Sequence, residues 1–302
     1  MITRDVQAFA AFAKALSPDF GLACAKAAFL VTPEGFALAE QSASDNAYMD
    51  LGVAVDPQRA LAQHRALHRA LSASLPTVAF PGDPAMPDGL FPNNVFATAP
   101  GRLVIGHMRH AVRQREAGRT DIRGFFAAMG YAETDLRAQP GICELTGALI
   151  IDRARGLGFC GLSERCDEAG AAAMHAAFGL RGTLMFDLAP GEYHTNVVMS
   201  VLAGRAVVIC PDGFADPAAA AGIASLYAPH VVELTSAQKA AFAGNGIALS
   251  PDRAWMSEAG AASLTADQHR QFGQAGFALG RVALDEIEKA GGSLRCCVAE
   301  IY

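Results

Sequence analysis

The chain has 302 residues, of which 52% are hydrophobic and 18% charged, with a formal net charge of -6. That length can bury a large core of one to three domains, and that balance excludes a disordered or fibrous chain. The negative charge and the lack of a Lys/Arg-rich run argue against a nucleic-acid partner, and no stretch approaches the roughly eighteen apolar residues of a membrane span.

From the N-terminus, Val6, Phe9, Ala13 and Leu16 recur at helical spacing, with Asp5 ahead of them and Lys14 among them. An amphipathic first helix is expected there in preference to a signal peptide. Residues 57–74 carry Leu61, Leu67 and Leu71 among Gln, His and Arg, a second helical pattern. His64 and His68 sit four apart on it without a third ligand, so no metal site is expected. The segment Pro87-Asp88-Gly89-Leu90-Phe91-Pro92-Asn93-Asn94 packs Asp and two Asn into a turn, where local turn chemistry and a binding role explain them equally well.

Residues 94–105 then read as a strand, a tight Gly101-Arg102 turn and a second strand. Residues 196–209 echo the shape around Gly204-Arg205, and residues 146–162 around Arg155-Gly156. His107 and His110 flank Arg109 in a stretch read as solvent-facing. Residues 164–178, rich in Ala and Glu, and residues 265–290, with Phe272, Phe277, Val282 and Ile287, give further helical patterns. A strand-strand-helix unit recurring about every sixty residues suggests similar modules closed on themselves, against an ordinary α/β or α+β domain with coincidental hairpins.

Three chemical groups stand out. Glu144, in Cys143-Glu144-Leu145-Thr146-Gly147, is a lone carboxylate entering an apolar strand and needs a partner. His194, in Tyr193-His194-Thr195-Asn196, precedes another apolar strand and is a natural general base. Near the C-terminus, Gly291-Gly292 opens a short apolar strand that carries Cys296 and Cys297. Thiol, imidazole and carboxylate are the set used in thiol-based nucleophilic catalysis. The seven cysteines are odd in number and lack a Cys-x-x-Cys, which fits reduced thiols in a cytoplasmic protein.

Four segments occur in a telling order: Phe91-Pro92-Asn93-Asn94, then Glu144-Leu145-Thr146-Gly147 with Leu162-Ser163-Glu164-Arg165, then His194-Thr195-Asn196, then Gly291-Gly292-Ser293-Leu294-Arg295-Cys296. From about residue 28 to the C-terminus, this order resembles the guanidino-group-modifying superfamily of arginine deiminases, dimethylarginine dimethylaminohydrolases and glycine amidinotransferases. Within it, the chain is most similar to the bacterial amidinotransferase-like branch that includes citrulline-utilisation hydrolases. The resemblance implies an α/β fold, a five-bladed α/β propeller (pentein), as a single domain over 1–302.

It also implies a hydrolase of C–N bonds in a linear guanidino or ureido amino acid. Cys296 would be the nucleophile and His194 the proton carrier, with Glu144 orienting His194 or holding one face of the guanidinium. Asp88, Asn93, Asn94 and Arg165 would bind substrate, Arg165 through its carboxylate. Where dimethylarginine hydrolases carry an acidic pair after the Phe, this chain has Asn93 and Asn94, whose amides cannot neutralise a guanidinium. Arginine-like and citrulline-like substrates therefore both stay open. An amidinotransferase using the same covalent intermediate and a non-catalytic binding protein are the competing readings. No cofactor is implied; a small molecule is the expected partner, with room for a homodimer. Adjacent strand residues face opposite ways, so only one of Cys296 and Cys297 can face the pocket, and the resemblance selects Cys296.

Overall fold

The computed structural model describes residues 1–302 and has a mixed α/β fold made of five small separate sheets. Each contains an antiparallel pair and a third strand lying parallel to one member of it. In the first, Phe96–Ala99 and Arg102–Ile105 form a hairpin, and Ala132–Asp135 returns after a helical crossover. Leu149–Asp152, Leu157–Leu162 and Gly182–Asp187 repeat this pattern, with Ile2–Thr3 added at the edge. So do Met199–Leu202, Ala206–Ile209 and Val231–Glu233, and then Ile247–Ser250, Arg253–Ser257 and Ala278–Val282. The fifth sheet joins the two ends of the chain. The final strand, Ala299–Ile301, pairs antiparallel with Ala27–Val31, which runs parallel to Thr77–Phe80.

The three hairpins read from the sequence are present. Their turns use Gly101, Gly156 and Gly204 at φ near +68°, a region that costs glycine nothing and other residues a steric clash. The period differs from the expected sixty: hairpins begin at 96, 149, 199 and 247, roughly fifty residues apart. Asp5 caps the first helix, Val6–Lys14, by accepting from the Gln7 and Ala8 amides, and Asp56 with Pro57 starts the helix Pro57–Ser72. The latter buries Ala60, His64, Leu67 and Leu71 along one stripe. The pattern at 265–290 is not one helix. The helix Ala266–Gln274 ends before Gly276, which sits at φ +81°; Val282 closes a strand and Ile287 lies in the short helix Asp285–Glu288.

Five large apolar clusters hold the sheets together, and each spans two of them. Val104 packs in one cluster with Leu149 and Cys160, Phe159 in another with Val207 and Ile209. Val208 shares a cluster with Met256, Leu30 with Trp255, and Phe29 with Phe96. Every sheet thus buries both faces against neighbours, at roughly 25 cal/mol for each Å² of apolar surface removed from water. No helix is long and apolar enough to cross a membrane.

Candidate active site

The candidate site is built from the short turns that lead into the first strand of each sheet. A 3-10 turn, Pro92–Asn94, precedes the strand at 96, and single helical turns Leu145–Ala148, Thr195–Val198 and Leu294–Cys297 precede those at 149, 199 and 299. The equivalent position ahead of the strand at 247 is Asn245. Cys296 therefore sits within a helical turn, and Glu144 and His194 immediately ahead of one, so none of the three is at the start of a strand. A helical turn spaces neighbours by about 100°. Cys296 meets two amides: its sulfur accepts from Asn245 Nδ2 at 3.4 Å and Asn196 Nδ2 at 3.6 Å. Cys297 packs in the apolar cluster around Leu67, Leu71 and Trp255.

Cys296 lines a small cavity of about 20 Å³, together with Asp88, Asn94, Arg165 and Tyr193. Asp88 is 2% exposed and accepts from Ser42 Oγ at 2.6 Å. Burial raises its pKa, against the opposing pull of Arg113 and the Ser42 hydroxyl. Asn94 faces the cavity, but Asn93 does not join it. The Asn93 side-chain oxygen accepts from Thr146 Oγ1 at 2.5 Å and Arg295 Nη1 at 2.5 Å, and its amide donates to Asn94. Asn93 ties three turns together behind the site, and of the two amides only Asn94 lines the cavity.

Glu144 and His194 form a buried pair, Nε2 to Oε2 2.9 Å, both wholly shielded from solvent. Arg165 Nη1 donates to the same Glu144 oxygen at 3.1 Å. Burial alone would raise the Glu144 pKa; Arg165 and His194 outweigh it and hold the carboxylate well below its ordinary range. With Glu144 ionised, His194 donates from Nε2, which leaves the Nδ1 lone pair as the basic site. That atom is buried and has no hydrogen-bond partner. Burial lowers the His194 pKa despite Glu144, and burial raises that of Cys296 despite the Ser293 backbone and the Asn245 amide. Burial thus works against charge on both groups. No hydrogen bond links His194 to Cys296; the imidazole reaches the cavity wall through Tyr193, 4.5 Å away ring to ring, and through Glu144 to Arg165. Gly147 makes room for the ring, since a Cβ there would lie 2.8 Å from His194 Nδ1 and 2.7 Å from Asn94 Oδ1.

Sequence reasoning overlooked several members of this constellation. Asn196 and Asn245 hold the thiol; their signal was present, because both stand like Asn94 just ahead of a first strand. Arg113, paired with Glu116 at 2.8 Å, and Asp45 carried no local signal. His110, read as solvent-facing, is half-buried with Nε2 2.9 Å from Asp45.

A family model for N,N dimethylarginine dimethylhydrolase, eukaryotic, matches residues 32–302. An N(G),N(G)-dimethylarginine dimethylaminohydrolase of Mycobacterium tuberculosis is 27% identical over 262 residues, covering 85% of this chain and 80% of that protein. Two solved structures share the fold. One is the N-terminal domain of ArgZ, an arginine dihydrolase from the ornithine-ammonia cycle in Cyanobacteria, as a cysteine-to-serine mutant bound to substrate. It superposes with a TM-score of 0.79 at 18% identity, over 91% of this chain and 97% of that one. The other is a dimethylarginine dimethylaminohydrolase, a histidine-to-glycine mutant in adduct with S-methyl-L-thiocitrulline. Its TM-score is 0.72 at 19% identity, over 92% and 100% of the two chains.

Proposed function

The chain belongs to the N,N-dimethylarginine dimethylhydrolase family, within the guanidino-group-modifying superfamily, and from that membership we propose that it is a cysteine-dependent hydrolase of C–N bonds in linear guanidino compounds of the arginine type. We read the five sheets as the blades of one propeller domain over residues 1–302, with the site where the turns ahead of their first strands meet. The observation that carries the functional reading is a thiol held by two amides in a cavity that a buried carboxylate also lines, with an oriented imidazole of unpartnered Nδ1 packed behind Tyr193 in its wall.

A cationic guanidinium drawn to Asp88 would favour the thiolate of Cys296 over the resting thiol. The thiol proton passes to His194 Nδ1, and the sulfur attacks the central guanidino carbon. Glu144 stabilises the imidazolium so formed. His194 returns that proton to the departing nitrogen as the C–N bond breaks, leaving a thiouronium on Cys296 and a neutral amine. Water deprotonated by His194 then attacks the same carbon. As the C–S bond breaks the imidazolium returns its proton to the sulfur, the hydroxyl proton is lost to the released amine, and the product is a neutral ureido compound. Asp88 and Glu144 supply negative charge that a cation answers and a neutral ureido group does not, which favours guanidino over ureido substrates.

The test is a panel of arginine, methylated and acylated arginines, agmatine and citrulline, followed by amine or ammonia release. Release from guanidino members is expected, together with one covalent adduct of a haloacetamidine on the C-terminal peptide. Activity confined to compounds with neither a guanidino nor a ureido group would overturn the assignment.

A further inference from the structure

Residues 42–49 cross over the cavity and are pinned from several sides. Ser42 Oγ donates to Asp88, Asn46 Nδ2 donates to the Gly291 carbonyl at 3.4 Å, and Tyr48 OH donates to Glu192 at 2.7 Å. Met49 bridges to Ala290. One residue of this segment makes contacts that the proposed chemistry does not use. The Asp45 carboxylate, 9% exposed, receives Arg165 Nε at 2.9 Å on both oxygens and Arg165 Nη2 at 2.5 Å. His110 Nε2 lies 2.9 Å from it and Arg109 Nε 3.4 Å.

Arg165 has five N–H groups. Its Nε and one Nη2 hydrogen go to Asp45, the other Nη2 hydrogen to the Ser42 carbonyl, and one Nη1 hydrogen to Glu144. The Nε–Nη2 edge is the one that matches a carboxylate with two parallel bonds, and a side chain of the protein already fills it. A substrate carboxylate arriving there would set two anions on one guanidinium edge, so one must leave. The guanidinium groups at the cavity are already answered by the protein's own carboxylates, Arg165 by Asp45 and Glu144 and Arg113 by Glu116. Arg109 is answered at the rim by Glu164.

We propose that Asp45 is a specificity-determining residue: an internal carboxylate that occupies the carboxylate-binding edge of Arg165 and sets the site against guanidino substrates bearing a free carboxylate and in favour of those lacking one. This rests on the hydrolase reading above, in which Arg165 is the group that meets a substrate carboxylate.

Arginine and agmatine differ only in that carboxylate, so their ratio isolates the effect. Steady-state kinetics on both compounds would be compared between the wild-type chain and Asp45→Asn, with Asp45→Ala as the second variant and melting curves to show that each is folded. Asp45→Asn should improve kcat/KM for arginine tenfold or more, through KM with kcat within about twofold, and leave agmatine unchanged or weaker. A rise in KM for arginine would overturn the proposal, because Asp45 would then be receiving the substrate ammonium or merely ordering Arg165. An equal change for both compounds would overturn it as well.

Equilibrium binding of the same two compounds to Cys296→Ser, with and without Asp45→Asn, separates the two claims. If neither compound is turned over but the binding ratio shifts towards arginine, the hydrolase reading falls and Asp45 stands. If turnover is normal and the ratio stays put, Asp45 falls and the hydrolase stands. Binding of neither compound by any variant overturns both.

Discussion

Replacing Glu144 by Gln changes one charge and almost no volume at the point where His194, Arg165 and the Arg109 backbone amide meet. The amide has no good orientation. With its oxygen on His194 Nε2–H it can still accept from Arg165 Nη1, but its NH2 group then faces the Arg109 backbone N–H, donor against donor. With the NH2 group on His194 instead, the imidazole must move its proton to Nδ1, and the lone pair needed for proton transfer is gone. The charge is lost in either case. An N–O distance of 2.9 Å puts the imidazolium and carboxylate charge centres about 4 Å apart. At an effective dielectric of about 20 their attraction is about 4 kcal/mol, close to a thousandfold in rate. The variant should therefore lose about three powers of ten in kcat with a smaller change in KM.

The stability cost follows from the same contacts. Removing one partner of a buried pair costs about 3 to 5 kcal/mol, and Asp45, which still holds Arg165, places this variant near the lower end. Because the folded-state pKa of Glu144 is depressed, its contribution is complete above the ordinary carboxylate range and is lost as pH falls towards the folded value. The gap between wild type and variant in urea unfolding should be full at neutral pH and close on acidification. A Glu144→Gln enzyme that keeps more than a tenth of wild-type kcat, or whose stability deficit is the same at all pH values, would refute this reasoning.

Cys296→Ser should abolish turnover with the melting curve little changed, since a hydroxyl is a far weaker nucleophile than a thiol. Cys297→Ser should turn over normally and lose about 1 to 3 kcal/mol for a hydroxyl placed in an apolar cluster; the reverse pattern in turnover assays would move the nucleophile by one residue. Asp88→Asn should raise KM for guanidino substrates by about ten- to a hundredfold, the worth of a charged hydrogen bond of about 1.5 to 3 kcal/mol. It should also stabilise the fold at neutral pH. Burial raises the folded-state pKa of Asp88, so ionising it costs stability as pH climbs from the unfolded carboxylate range through the raised value. The melting temperature of Asp88→Asn relative to wild type should grow over that window and then level off, and a variant less stable than wild type at pH 7 would contradict the electrostatic account.

Local chemistry determined much of this protein. Asp5 and Asp56 announce their helices because a carboxylate answers free N–H groups at a helix start, and the Gly101, Gly156 and Gly204 turns announce hairpins because each needs a positive φ. The order of the Asp88, Glu144, His194 and Cys296 segments carried the family resemblance on which the candidate site was read. What the sequence left open depended on groups far apart in the chain. Nothing near residue 299 says that its strand pairs with residues 27–31, because strand pairing is a choice among edges that only packing ranks. Asn93 and Asn94 are identical in type, and the reach of Arg295 and Thr146 turns one of them away from the cavity. Asp45 looks like an ordinary polar residue in a turn. Its role exists only because Arg165, 120 residues further on, brings a guanidinium edge to it, and a charge acquires its meaning from the partner that the fold puts within hydrogen-bonding distance.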